Sequence, residues 1–269
     1  MPSMAPRCEL PALAAASLAT SPPASDTERE SVTRGALAVP DTDIIDSPPR
    51  TETQPAGLAL GGINPHSALI IVDVQPDFMP GGALACTGGD EILLGLEWLL
   101  AQHAFDHVVA TQDWHPAGHV SFASKHPPHQ PFEALEFYGH SQTLWPDHCI
   151  QRTEGAALHP AIDWASCNAI IRKGTDPGID SYSAFRNNIG PDGHRPATGL
   201  AGWLRDRRVT DVHVCGLARD VCVLWTAEDA VAAGFKTHFL WSLTRPVTYE
   251  TDDDTRQRLS DLGIAIVDI

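Results

Sequence analysis

The chain has 269 residues, of which 43% are apolar, so it can build a sizeable hydrophobic core. It carries 18 Lys and Arg against 34 Asp and Glu, a formal net charge of −16, and this acidity argues against nucleic acids and anionic membranes as partners. Six cysteines are too few for a disulfide scaffold and indicate free thiols in a reducing compartment, so we expect a cytoplasmic protein.

Residues 1–65 are predicted to form a disordered or loosely attached N-terminal extension. They contain no Trp, Phe or Tyr, and they include Pro-rich runs such as SPPAS and DSPPRTETQP. A segment of this composition buries too little apolar area to offset the entropy lost on ordering. A signal or transit peptide at 10–20 is the alternative, which Glu9 and the single basic residue Arg7 argue against. The folded domain is therefore expected to span 66–269.

Within this domain, apolar runs that predict strands alternate with segments of helical spacing. The predicted strands are 68–73, 107–112, 168–173, 211–216, 236–241 and 264–267. The predicted helices are 89–103, 198–207, 220–233 and 252–262. Continuous apolar strands with helices between them predict an α/β fold, with a mostly parallel six-stranded sheet covered on both faces. The stretch 113–160 has little periodicity and is predicted to be a long functional loop.

Three residues at predicted strand ends form a first candidate site. Asp73 and Lys173 end the first and third strands, and Cys222 begins the helix after the fourth. Ligands of parallel sheets bind beyond these carboxyl ends. With Asp220 as the N-cap, Cys222 would lie in the first helical turn, where the helix dipole favours a thiolate. Asp73 can then take the thiol proton while Lys173 holds the neighbouring charge, although each residue alone also has an ordinary structural interpretation.

A second candidate site lies in the long loop. Asp113 and His115 are two residues apart in extended chain, so their side chains point the same way. His119 follows after a turn, and His148 comes later in the loop. One carboxylate and three imidazoles suit a divalent transition metal such as zinc, iron or manganese. Because the chain has 13 histidines, clustering by chance is the alternative.

Five separated blocks of the sequence carry a family resemblance. They are IIVDVQPDFMPGGALA, TQDWHPAGHVSFAS, TLWPDHCIQRTEGAALHP, RKGTDPGIDSYSAF and GLARDVCVLWTAEDA. Together they resemble the nicotinamidases of the isochorismatase-like cysteine hydrolase superfamily, over about residues 66–269. The resemblance implies a single Rossmann-like domain with three α/β/α layers. It also implies hydrolysis of nicotinamide to nicotinate and ammonia through a cysteine thioester, a reaction of NAD salvage.

The resemblance also implies roles for individual residues. The first candidate site matches the family's catalytic Asp, Lys and Cys, and the second matches its ligands for one metal ion, with zinc expected and iron or manganese as alternatives. A non-proline cis peptide is implied at Leu217–Ala218. The backbone N–H groups of Ala218 and Cys222 would form the oxyanion hole. Phe78 and Trp145 match the aromatic residues that flank the pyridine ring of the substrate.

Two positions depart from the family pattern. Arg219 stands where the family usually has Thr, and it is expected either to aid the thiolate or to point outward. Val221 replaces the usual aromatic residue or His, and it is expected to point away from the pocket.

Several alternatives stay open at this point. Another amidase of the superfamily, acting on a related heterocyclic carboxamide, would share the catalytic residues but would generally lack the metal ligands. A binding protein without turnover and a hydrolase that attacks with metal-bound hydroxide are further alternatives. The expected partner is a small-molecule substrate, and the sequence is compatible with a homo-oligomer without deciding the oligomeric state.

Overall fold

The computed structural model describes residues 63–269. The predicted extension at 1–65 therefore lies almost wholly outside the described residues, and its boundary with the domain stays a prediction. Within the described part, no helix is both long enough and apolar enough to cross a bilayer. The cytoplasmic location and the oligomeric state also stay predictions.

One six-stranded sheet organises the domain, and every strand pair in it is parallel. The strands of the chain are β1 Ser67–Val72, β2 His107–Asp113, β3 Ala134–Phe137, β4 His140–Thr143, β5 Ala169–Lys173, β6 Asp211–Leu217, β7 Lys236–Arg245 and β8 Ala265–Val267. The helices are α1 Leu93–Ala101, α2 Leu200–Asp206, α3 Leu224–Ala232 and α4 Asp252–Asp261. The sheet order is β5-β2-β1-β6-β7-β8. The predicted α/β fold class is confirmed.

The sheet brings distant parts of the sequence to one edge. The central strands β1 and β6 are buried along their whole length, as their continuous apolar sequences predict. Because β1, β2, β5 and β6 are parallel neighbours, their carboxyl ends lie at the same edge. Asp113 and Lys173 are direct partners in the β2–β5 register, and Asp73 immediately follows β1.

The stretch 113–160 contains regular structure that the sequence analysis did not predict. Strands β3 and β4 form an antiparallel hairpin that closes at the pair Phe137 and His140. The two turn residues, Tyr138 and Gly139, both have positive φ, at 52° and 79°. Two-residue hairpin turns of this type favour Asn-Gly or Asp-Gly, so Tyr-Gly gave no recognisable signal.

The helix predicted at 220–233 begins differently from the prediction. A short π-helical turn, Arg219–Val223, precedes α3, and its N-cap is Ala218. The expectation that Asp220 is the N-cap is therefore wrong. The Asp220 carboxylate accepts hydrogen bonds from Val247 N at 3.0 Å and from Thr251 Oγ1 at 2.8 Å. Both donors come from residues that lie 27 and 31 positions further along the chain.

Candidate active site

Lys173 joins the groups of the first candidate site. Its Nζ lies 2.8 Å from Asp73 Oδ2, 3.0 Å from Asp113 Oδ1 and 3.5 Å from Cys222 Sγ. It also donates to the backbone oxygen of Ser181 at 2.9 Å. Burial opposes the charge of this ammonium, but Asp113 and Asp73 outweigh it and hold the pKa of Lys173 well above its ordinary value. Lys173 is therefore a buried, charged group.

Asp73 is positioned by the neighbouring strand. It follows β1 with a positive φ of 48°, and its Oδ1 accepts a hydrogen bond from Thr111 Oγ1 at 2.6 Å. Its backbone N–H donates to the same hydroxyl oxygen at 3.0 Å. Burial raises the pKa of Asp73, and Lys173 offsets part of that shift. A carboxylate with a raised pKa is suited to accept a proton.

Cys222 is buried within the π-helical turn, beside the same two charges. Burial raises the pKa of the thiol well above its ordinary value, the positive charge of Lys173 lowers it, and a contact with the Asp73 carboxylate raises it again. The raised pKa favours the protonated form of the thiol, and the Asp73 carboxylate in contact with it is a candidate proton acceptor. The peptide bond Leu217–Ala218 is cis, as the resemblance implies.

Three of the four predicted metal ligands converge. Asp113 Oδ2 lies 2.9 Å from His115 Nε2 and 3.2 Å from His148 Nε2. The opposite ring nitrogens face backbone oxygens, with His115 Nδ1 3.1 Å from Gly174 O and His148 Nδ1 2.8 Å from Pro146 O. A proton on each Nδ1 satisfies those oxygens and leaves each Nε2 free, which is the usual arrangement of metal-binding histidines. These residues therefore fit a divalent transition metal.

The structure places the fourth predicted ligand, His119, beside this group rather than in it. The rings of His115 and His119 are 4.2 Å apart, but the ligand atoms of His119 group with those of His115 and Asp180. His119 Nδ1 lies 2.8 Å from Ser121 Oγ, and its Nε2 lies 3.3 Å from Ile179 O. The sequence analysis missed Asp180, because an acidic residue in an aperiodic loop is common.

A cavity connects the two candidate sites. Of the predicted residues, it is lined by Phe78, Asp113, His115, Trp145, His148, Lys173, Ala218 and Cys222. Val221 also lines it, and the sequence analysis did not single out the remaining lining residues, which are Leu84, Asp180, Ser181, Tyr182 and Val247. Asp73 and His119 are buried but are not among the lining residues. Both predicted aromatic residues and both sets of chemical groups thus meet at one cavity, whereas their assigned roles stay predictions.

Comparison with known proteins identifies the family. Residues 67–267 match the isochorismatase domain family. The chain belongs to the isochorismatase family. The nicotinamidase of Acinetobacter baylyi is 48% identical over 65% of this chain and 79% of its own length. A nicotinamidase and pyrazinamidase structure from Acinetobacter baumanii is 42% identical with a TM-score of 0.71, covering 76% of this chain and 97% of its own.

A further solved structure is informative about metal binding in the family. The pyrazinamidase of Pyrococcus horikoshii in complex with zinc is 33% identical, has a TM-score of 0.62, and covers 76% of this chain and 100% of its own. The match to the isochorismatase family and the similarity to these nicotinamidases confirm the predicted family resemblance. A group able to hold a divalent metal ion is present in this chain.

The structure shows where the two residues that depart from the family pattern lie. Arg219 is buried and faces away from Cys222, with Nε donating to Thr244 Oγ1 and Nη1 to Asp252, each at 2.8 Å. It therefore neither aids the thiolate nor reaches solvent. The expectation that Val221 points away from the pocket is wrong, since Val221 lines the cavity. Val221 lines the cavity together with Ala218 and Cys222 of the same segment.

Proposed function

We propose that the protein hydrolyses nicotinamide to nicotinate and ammonia, with Cys222 as the nucleophile. The observation that carries this proposal is the buried contact of Lys173 with Asp73, Asp113 and Cys222, which joins a thiol, a base and a metal-binding group in one cluster beside the cavity. The names of the similar proteins support the substrate, because the curated relative and the solved structure with the highest identities quoted above are nicotinamidases.

The first half of the reaction forms a thioester. Asp73 takes the thiol proton as Sγ of Cys222 bonds to the amide carbon, and the carbonyl electrons move onto the oxygen. The backbone N–H groups of Ala218 and Cys222 are proposed to stabilise that oxyanion, and losing one such donor typically costs about 3–4 kcal/mol. Asp73 then returns the proton to the amide nitrogen, the C–N bond breaks, and ammonia leaves.

The second half of the reaction restores the thiol. Water gives a proton to Asp73 as its oxygen attacks the thioester carbon. The C–S bond breaks, the sulfur takes up the proton, and nicotinate is released. Lys173 keeps its charge throughout and holds the Asp73 carboxylate at 2.8 Å, so the base stays oriented between the two halves.

The metal-binding group completes the proposal. Asp113, His115 and His148 would hold a divalent transition metal, with zinc expected and iron or manganese as alternatives, and His119 is proposed as a further ligand. When bound, the ion supplies a Lewis-acidic position for the ring nitrogen of the substrate. Phe78 and Trp145, on the cavity wall, are proposed to pack against the pyridine ring.

Ammonia release from nicotinamide by the purified protein tests the proposal, with pyrazinamide as a second substrate. We expect Cys222→Ala to abolish the release while the metal content stays unchanged. Cys167→Ala is the matched control, because Cys167 is a free cysteine that lines no part of the cavity, and it should keep its activity. Full activity of Cys222→Ala would refute the thioester route in favour of attack by metal-bound hydroxide. Turnover of another heterocyclic carboxamide but not of nicotinamide would favour a different amidase.

A further inference from the structure

Asp220 is a buried carboxylate of the turn that carries Cys222, and the mechanism above does not use it. Only 5% of its surface is exposed. Its Oδ1 accepts a hydrogen bond from Val247 N at 3.0 Å, and its Oδ2 accepts one from Thr251 Oγ1 at 2.8 Å. Both donors belong to the segment 246–251, which follows β7. The carboxylate therefore connects this segment to the turn of the nucleophile.

The segment 246–251 also contributes to the wall of the active-site cavity. Val247 lines the cavity, and so does Val221, which is next to Asp220 in the turn. Leu84 adds a further aliphatic side chain from another part of the chain. Aliphatic groups of this kind can pack against the C–H edges of an aromatic ring, and one methylene group in such a pocket changes kcat/KM by about 10–200-fold. The position of Val247 therefore affects how well a substrate ring is bound.

Two side chains bind the backbone of Val247, and they differ in burial. The N–H of Val247 donates to Asp220, and its backbone oxygen accepts a hydrogen bond from Thr87 Oγ1 at 3.0 Å. Thr87 is exposed, so water can replace its hydroxyl at little cost. Asp220 is buried, so no water replaces its oxygen, and a lost partner leaves the N–H of Val247 unpaired. Asp220 is therefore the more important of the two contacts.

We propose that Asp220 is a positioning residue of the substrate cavity, because it fixes Val247 in the aliphatic wall against which the substrate ring packs. The inference rests on the proposed function for the identity of that ring. Asp220 acts through Val247 and touches neither the substrate nor the reacting sulfur. Its loss should therefore weaken the binding of the ground state and of the transition state alike, which raises the KM and leaves kcat nearly unchanged.

Steady-state hydrolysis of nicotinamide by the variants tests this. We expect Asp220→Ala to raise the KM about tenfold and to keep kcat within about threefold of the wild type. Asp220→Asn should keep the KM within about twofold, because its amide can accept from Val247 N and donate to Thr251 Oγ1. Thr87→Val is the control, since it removes an exposed hydrogen bond to the same residue, and its KM should also stay within about twofold.

A double-mutant cycle shows whether Asp220 acts through Val247. Val247→Ala should raise the KM about as much as Asp220→Ala, and the double variant should show little further rise, because both changes remove the same contact. Additive effects would overturn the inference. A fall in kcat with an unchanged KM in Asp220→Ala would also overturn it, since the carboxylate would then act on the turn of Cys222. So would an equal loss in Asp220→Asn and Asp220→Ala.

Alkylation of the thiols by iodoacetamide, followed by mass spectrometry, separates this inference from the proposed function. The wall limits access to Cys222, of which 6% is exposed. Asp220→Ala should speed the alkylation of Cys222 about tenfold and leave the rate at Cys215, which is fully buried in β6, unchanged. That result supports the inference even if nicotinamide is not the substrate. An equal rise at Cys215, which would indicate general destabilisation, or an unchanged rate at Cys222 would overturn it.

Discussion

Replacing Lys173 by Met should destabilise the metal-free protein severely. The ammonium is buried and lies within 3.0 Å of Asp73 and of Asp113, and it also binds the Ser181 carbonyl. Methionine is of similar length and fills the same volume, so packing changes little. What is lost is the only cation that pairs with two buried carboxylates in the described part of the chain.

The magnitude follows from the cost of a broken buried ion pair. Removing one partner and leaving the other charged and buried costs about 3–5 kcal/mol. Domains are stable by only about 5–15 kcal/mol, so the variant should retain a minor part of its free energy of unfolding. Burial already raises the pKa of Asp73, and losing the offsetting charge of Lys173 raises it further, so the folded state of the variant binds more protons than the unfolded state. The stability deficit should therefore shrink as the pH falls from 8 to 5.

Urea unfolding of chelator-treated protein at several pH values measures this deficit. Lys236→Met is the control, because the Lys236 side chain is 70% exposed and lies 3.6 Å from Asp211. A surface pair of this kind contributes about 0–1 kcal/mol. If Lys173→Met lost no more stability than Lys236→Met, or if its deficit did not change with pH, the reasoning about buried charge would be refuted.

Three further predictions concern residues around the sheet. Burial lowers the pKa of His213 to about 4, so its contribution to stability is present above about pH 6.5 and is lost as the pH falls towards 4. From pH 7 to 4.5 the free energy of unfolding should therefore fall about 2 kcal/mol further in the wild type than in His213→Gln. Parallel pH curves for the two proteins would contradict this. Arg219→Met should lower the free energy of unfolding, measured in urea, by about 1–3 kcal/mol because it leaves Asp252 unpaired. A changed ratio of nicotinamide to pyrazinamide turnover would instead show that Arg219 acts in the pocket. Ser181 lines the cavity, and its buried hydroxyl has no hydrogen-bond partner within 63–269. Ser181→Ala should therefore raise the KM about 2–10-fold in steady-state kinetics without loss of stability. A loss of stability with an unchanged KM would count against a substrate contact.

Much of the fold was predictable because it depends on local pattern. The continuous apolar runs of β1, β2 and β6 indicate strands that are buried on both faces, and the helical segments between the strands favour a parallel sheet. Placing Asp73 and Lys173 at one edge needs only this topology. The family resemblance rests on short motifs of the same kind, in which the residue types and their spacing are visible in the sequence.

Other features could not be predicted, because they depend on contacts between distant segments. Asp220 has the composition of an N-cap, yet its carboxylate binds Val247 and Thr251, which are 27 and 31 residues away. Arg219 likewise donates hydrogen bonds to the distant residues Thr244 and Asp252. Rules based on the nearby sequence cannot show which partner such a side chain will bind, because each possible partner satisfies the same hydrogen-bonding groups.

The amino-acid sequence by itself determined the alternation of strands and helices and the family, and it supplied the candidate residues of both sites. Only the tertiary structure decided which carboxylates share the buried ammonium of Lys173, that His119 groups with Asp180, and that burial raises the pKa of the Cys222 thiol. The reason is that burial and neighbouring charges set these properties, and both arise only when segments far apart in the chain pack together.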